Sequence, residues 1–172
     1  MGLTGKTVYF IDFSYPKDIL EVIEKSTARL VVLDHHSGAK EAVESIREHV
    51  FDLERSGAGI AWDYFHPGVA LPRFLAYVQE NDLWKNRLPH TKEVGAFLST
   101  QELNFASYEK LEALFSDDAS FATLVEQGAA FAAYGDHLCQ NIVEKASLVQ
   151  FGSHQILAVE APSELKSRVG HL

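Results

Sequence analysis

The apolar positions of the first fifty residues fall into two short unbroken runs, separated by a segment with helical period. Thr7-Val-Tyr-Phe-Ile-Asp12 and the run that leads into Val32-Leu-Asp-His-His-Ser37 are rich in β-branched and aromatic side chains, which predicts strands. Between them Pro16 opens a stretch in which Ile19, Leu20 and Ile23 share one face, and the polar pair Ser26-Thr27 closes it, which predicts a helix. A right-handed strand, helix, strand crossover makes the two strands parallel and allows them to be neighbours. Asp12 and the Asp34-His35-His36 tripeptide then emerge at one edge of the sheet.

Further along, the pattern predicts a helix over 39–48, a third strand over 50–53 and a helix over 59–65 stopped by Pro67. An amphipathic helix over 71–80 would present Asn81-Asp82 at its end. From 92 to 145 the pattern is helical in several pieces, the longest over 118–143. Phe97, Leu98, Phe105, Leu111, Leu114, Phe115, Phe121, Leu124 and Val125 are the expected core there. The aromatic stripe of the longest helix reads as packing rather than a base-stacking platform. A hairpin over 147–150 and 155–159 around Gly152 precedes a last helix opened by Pro162 and Ser163. Together these elements predict an α/β fold with a mostly parallel sheet and a helical C-terminal half.

Composition narrows the function classes. With 172 residues and 47% hydrophobic content the chain can bury a substantial core, and nothing in it is low-complexity. The single Cys139 excludes an intramolecular disulfide and fits a reducing compartment. No stretch of about twenty apolar residues and no secretion signal occurs, so a cytoplasmic location with no membrane partner is expected. The net charge of −9 argues against a broad basic surface for long duplex nucleic acid, though not against a small anionic substrate in a locally positive crevice. Walker, dinucleotide-glycine and nucleophile-elbow patterns are all missing.

The chemistry concentrates where the strands end. Carboxylate plus imidazole at a strand terminus is a ligand set for a divalent metal. Taken alone, Asp12 reads equally as a cap for the helix that follows Ser14 and Pro16. Two adjacent histidines point in different directions, which suits one metal ligand and one substrate-facing group. Trp84, close behind Asp82, has two readings, a residue lining the crevice or a packed indole, of which the packed indole is the safer. His49 precedes the third strand, and His66, His90, His137, His154 and His171 lack partners at ligand spacing.

On Asp34-His35-His36 the chain resembles the DHH phosphoesterase superfamily, named for that tripeptide. The likeness extends to Phe10-Ile-Asp-Phe-Ser-Tyr-Pro16, similar to the second motif, and to Glu54-Arg-Ser-Gly-Ala-Gly-Ile-Ala-Trp62, similar to the segment opening the next helix. Gln79-Glu-Asn-Asp-Leu-Trp84 is similar to the fourth motif. The set resembles most the oligoribonuclease and cyclic-nucleotide phosphodiesterase subgroup (NrnB-like), from about Val8 onward. The resemblance implies a Rossmann-like domain, with Asp12 as a carboxylate bridging two metals and His35 and Asp82 as further ligands. It implies His36 at the scissile phosphate as the catalytic group and Asp34 behind the ligands, orienting its neighbours. Two manganese ions, with magnesium less suited, would then activate water against phosphodiester bonds of short oligoribonucleotides or cyclic nucleotides. Arg55 and the Ser56-Gly57 turn at a helix start have two open readings, a second phosphate site or ordinary helix capping.

The family pattern is incomplete here. Its first motif, a histidine and paired aspartates, should lie several tens of residues before Asp12, yet residues 1–11 contain neither residue type. Its glycine-rich, histidine-containing C-terminal domain has no counterpart before Leu172. Residues 1–146 therefore read as a catalytic core without its first strand, and residues 147–172 as a hairpin and helix leading toward a substrate-binding domain. An exposed apolar sheet edge is expected from the missing strand, and with it self-association, as a homo-oligomer, or poor solubility. The alternatives are a hydrolase of polyphosphate or pyrophosphate, and a non-catalytic remnant that binds nucleotide or metal.

Overall fold

Val31, Val32, Leu33 and Asp34 are fully buried, because the strand they form is covered on both faces. This strand, β2 (Arg29–Asp34), is the centre of a three-stranded parallel sheet in the order β1 (Thr7–Ile11), β2, β3 (Glu48–Phe51). The computed structural model describes residues 2–102 and 104–170. Alternation along β2 sends Leu30 and Val32 to one face, where they meet Leu20 of α1 (Lys17–Ser26) and Val43 of α2 (Lys40–Glu44). It sends Val31 and Leu33 to the other face, against Ile60 of α3 (Gly57–Phe65). Each such side chain contributes roughly 1.5–3 kcal/mol by leaving water. The register pairs Ile11 with Leu33, and the Asp12 amide continues the ladder to the Leu33 carbonyl at 2.9 Å.

A second hydrophobic body is helical. Phe74 and Tyr77 of α4 (Arg73–Asp82), Val94 and Phe97 of α5 (Thr91–Leu98), Leu111 and Phe115 of α6 (Phe105–Ser116), and Phe121 and Leu124 of α7 (Asp118–Val143) form one cluster. Asp117 caps α7 through the Ser120 amide at 2.7 Å, and Asn104 caps α6 through the Ser107 amide at 2.9 Å. The chain then forms an antiparallel hairpin, β4 (Ser147–Phe151) and β5 (His154–Ala158), turned at Gly152 with φ of 60°, and a short α8 (Lys166–Val169). Arg168 ties α8 to α7 through the Ala132 carbonyl at 2.8 Å and through Asp136. Among the described residues, no helix is long and apolar enough to cross a membrane.

The mixed α/β class and the helical C-terminal half are as expected, with three departures. The helix expected over 39–48 is a short 3-10 turn, Ser37–Ala39, followed by α2, which stops at Glu44. The reason is local competition: the Arg47 amide donates to the Glu24 carboxylate of α1 at 3.0 Å, and Glu48 is already paired with Val31. The third strand is consequently Glu48–Phe51 rather than 50–53, and His49 lies within it, its ring 2.6 Å from the Ile46 carbonyl. Phe105, expected in the core, is 88% exposed, because it is the first residue of α6 and projects beyond the packed turns.

Candidate metal centre

Parallel pairing of β1 and β2 carries Asp12 and the Asp34-His35-His36 turn to the same sheet edge. Asp12 leaves the strand with φ of 66°, a left-handed conformation that aspartate tolerates better than most side chains. Gly57 opens α3 directly beside it, and a Cβ at that position would overlap the Asp12 carboxylate. The absent side chain lets Asp12 lie against the first turn of α3, where the helix dipole favours negative charge. Gly59 similarly leaves room for the Gln79 side-chain oxygen, which accepts from the Ser56 amide at 3.3 Å. That close approach of α3 and α4 delivers Asp82, the last residue of α4, to the crevice.

His35 is the hinge of the arrangement. Its side chain is 90% buried, and its Nε2 lies 3.2 Å from Asp12 Oδ1 and 3.3 Å from Asp82 Oδ2. Neither approach has hydrogen-bond geometry, so Nε2 is a buried polar atom without a hydrogen-bond partner. Ligand atoms of Asp12, His35 and His36 also lie within 4.8 Å of one another, and Asp82 is outside that triad, in ion-pair range of His35. Among the described residues His35 is the sole ion-pair partner of Asp12 and Asp82. Asp82 additionally stands at a helix C-terminus, where the dipole disfavours a carboxylate. An imidazole nitrogen lying between two carboxylates is a donor set that suits a divalent ion.

His36 is held differently. Asp34 is buried, and its Oδ1 accepts from the His35 amide at 2.8 Å, the His36 amide at 3.2 Å and the His36 ring Nδ1 at 2.7 Å. Burial works to raise the Asp34 pKa, but the hydrogen bonds from the His36 ring and from both amides outweigh it and hold the carboxyl below its ordinary value. The same Asp34 hydrogen bond raises the His36 pKa against the opposing effect of burial, with the Asp34, Asp12 and Asp82 charges adding to it. With Nδ1 engaged, Nε2 of this half-exposed ring is the atom left for a ligand. The second Asp34 oxygen, Oδ2, is buried and has no hydrogen-bond partner.

Ser56 is 1% exposed, and its hydroxyl accepts from the Gly59 amide at 3.0 Å, capping α3. Arg55 pairs with Asp63 at 2.6 Å and donates to the Gly59 carbonyl at 3.3 Å. Both are thus engaged in shaping the start of α3. Trp84, expected to be packed, is 56% exposed. The turn after α4 gives it a left-handed φ of 52°, which a hydrophobic pattern alone does not reveal. Of the remaining histidines, His66 stacks on Trp62, and His171 lies outside the described residues. Sequence reasoning placed the Ser56-Gly57 turn at a helix start, but not the room that Gly57 leaves for Asp12 and Gly59 for Gln79.

Compared with known proteins, the chain is 33% identical over 149 residues to an uncharacterized protein of Acanthamoeba polyphaga mimivirus, a match covering 86% of this chain. It covers 34% of the viral protein, so the chain spans about a third of the length of the curated relative it matches. No family model matches. No solved structure matches either.

Proposed function

We propose that the chain carries the metal centre of a DHH-type phosphoesterase on a Rossmann-like sheet, and that it acts on phosphodiester bonds of short oligoribonucleotides or cyclic nucleotides. The observation that carries this reading is the buried, unpartnered His35 Nε2 between the Asp12 and Asp82 carboxylates, with His36 held beside it by Asp34. Asp12, His35 and Asp82 are the ligands of a divalent ion, and manganese suits mixed imidazole and carboxylate donors. Bound there, the ion supplies charge neutralisation of a phosphate and a lowered pKa of coordinated water.

The protein's own groups do the rest. Asp34 fixes the His36 tautomer, leaving a proton on Nδ1 and Nε2 facing the crevice. In its charged form His36 donates a hydrogen bond to a phosphate oxygen and holds a proton at Nε2 for the departing oxygen. A divalent ion held there would offset the Asp12 and Asp82 carboxylates, so the site would accommodate a small anion on a chain of net charge −9.

The test is release of mononucleotide from a 5′-phosphorylated diribonucleotide by the purified chain, with manganese and with chelator. Turnover that requires manganese and disappears in His36→Ala is expected. Pyrophosphate and tripolyphosphate in parallel distinguish the phosphoanhydride alternative. Manganese binding that depends on Asp12 but accompanies no turnover of any of these would replace hydrolysis with a metal-binding role.

A further inference from the structure

Two polar side chains straddle Asp82 and hold one short segment. Gln79 stands three residues before Asp82, on the same side of α4, and Lys85 stands three residues after it. Gln79 Oε1 accepts from the Ser56 amide at 3.3 Å, in the space that Gly59 leaves. The Lys85 side chain is 17% exposed, and its Nζ donates to the Glu54 carbonyl at 2.9 Å and to the Glu54 carboxylate at 2.6 Å. Both partners belong to the segment 54–59 that opens α3. In the same segment Gly57 abuts the Asp12 carboxylate. The first turn of α3 is therefore a spacer between the elements that carry Asp12 and Asp82.

The end of α4 is fixed on its other sides as well. The Arg87 amide donates to the buried Glu80 carboxylate, the Lys85 amide donates to the Glu80 carbonyl at 3.1 Å, and a Cβ on Gly95 of α5 would collide with the Asn81 side chain. Stability alone does not account for this arrangement. The dipole disfavours a carboxylate at a helix C-terminus, and an ion pair as open to solvent as that of Lys85 with Glu54, whose side chain is 76% exposed, contributes little. What the contacts do fix is the place of Asp82, with Oδ2 3.3 Å from His35 Nε2. Donors held at a fixed separation discriminate among ions by size, whereas donors free to relax accommodate a larger one.

We propose that Gln79 and Lys85 are positioning residues that set the spacing of Asp82 from Asp12, and that this spacing makes the centre select manganese over the larger calcium ion. The proposal rests on the metal-centre reading and deepens it by naming what governs the choice of ion. Neither residue is a ligand in this arrangement. Each acts through Asp82, by way of the segment 54–59.

The experiment is calorimetric titration of the purified chain with manganese and with calcium, in the wild type, Lys85→Met and Gln79→Ala. Each substitution should cost roughly tenfold in manganese affinity and much less in calcium affinity, so that the ratio of the two narrows. Lys85→Arg, which keeps a donor for Glu54, should restore most of the ratio. In an Asp82→Asn background neither substitution should lower manganese affinity further. Equal losses for the two ions, manganese affinity unmoved in both variants, or losses undiminished in Asp82→Asn would overturn the positioning role alone. A wild-type chain that binds no manganese, or that binds it equally well in Asp12→Asn, would overturn the metal-centre reading and the positioning role with it.

Discussion

Asp34 shows how one buried carboxylate organises two imidazoles with opposite tasks. Three donors converge on its Oδ1, two of them backbone amides, so the turn that presents His35 and the ring orientation of His36 share one anchor. A raised His36 pKa means that the pair's contribution to stability is present below the unfolded imidazole value, about 6.5, and is lost as pH rises through the folded value. The lowered Asp34 pKa means that the contribution is present above the unfolded carboxylate value, about 3.9, and is lost as pH falls through the folded one. The window in which both act therefore lies between those two ordinary values. In the metal-free protein, the His36 ring should titrate above the ordinary imidazole range by NMR, and Asp34→Asn should lower its midpoint. An unchanged midpoint would mean that Asp34 does not control the proton. Gly57 is a second single-residue device. Gly57→Ala should retain the fold but weaken manganese binding by displacing the Asp12 carboxylate, measurable by titration against Asp12→Asn, which should lose binding more completely.

At the scale of elements, the closest contact in the helical body is between α5 and α7. A Cβ on Gly128 would collide with the Glu93 carbonyl, so the two helices approach at backbone distance. Gly128→Ala should push them apart and destabilise the chain by about 1–3 kcal/mol, read from the urea midpoint, because backbone cannot yield as a flexible side chain would. Unchanged stability would show that α5 can slide. This interface was not legible in the sequence, where Gly128 is one small residue in a helix rich in alanine. The helix itself was legible to the residue, because Asp117 caps it and 26 residues follow without a breaker. Strands β1 and β2 were equally plain from their apolar runs, and with them the meeting of Asp12, His35 and His36. What the pattern hid were outcomes of tertiary competition. Glu48 is drawn into β3 by Val31 and by Arg29, whose Nε donates to it at 2.8 Å, at the expense of the helix expected there. Phe105 and Trp84 face solvent although hydrophobicity assigned them to packing. Ser56 and Arg55 were left open between capping and phosphate binding, and only their partners Gly59 and Asp63 show how they are engaged.

At the scale of the molecule, order is distributed unevenly, and the candidate centre sits where two bodies meet. The β4–β5 hairpin has every side chain exposed or nearly so, including the Leu148 and Leu157 cross-strand pair on one face and Phe151 on the other. An isolated two-stranded ladder is marginal in water. Its amides should therefore exchange with solvent far sooner than those of β2, which exchange only on global opening. Strong protection of the hairpin would mean that its apolar faces are covered in solution. Asp12 and His35 belong to the sheet body, by contrast, while Asp82 belongs to the helical body, joined to it by the α3 and α4 contact and by the Lys85 grip on Glu54. An ion held by all three would bind the two bodies together in the folded state alone. Manganese at about a hundred times its dissociation constant should then raise the unfolding free energy by about 2.7 kcal/mol, reversed by chelator. Asp82→Asn removes the helical body's only ligand, so in that variant the manganese-dependent gain should shrink sharply while stability without metal holds or rises, since one carboxylate is removed from a helix C-terminus. A gain that persists in full in Asp82→Asn would place the ion on the sheet residues alone, with His36 rather than Asp82 completing the set that Asp12 and His35 begin.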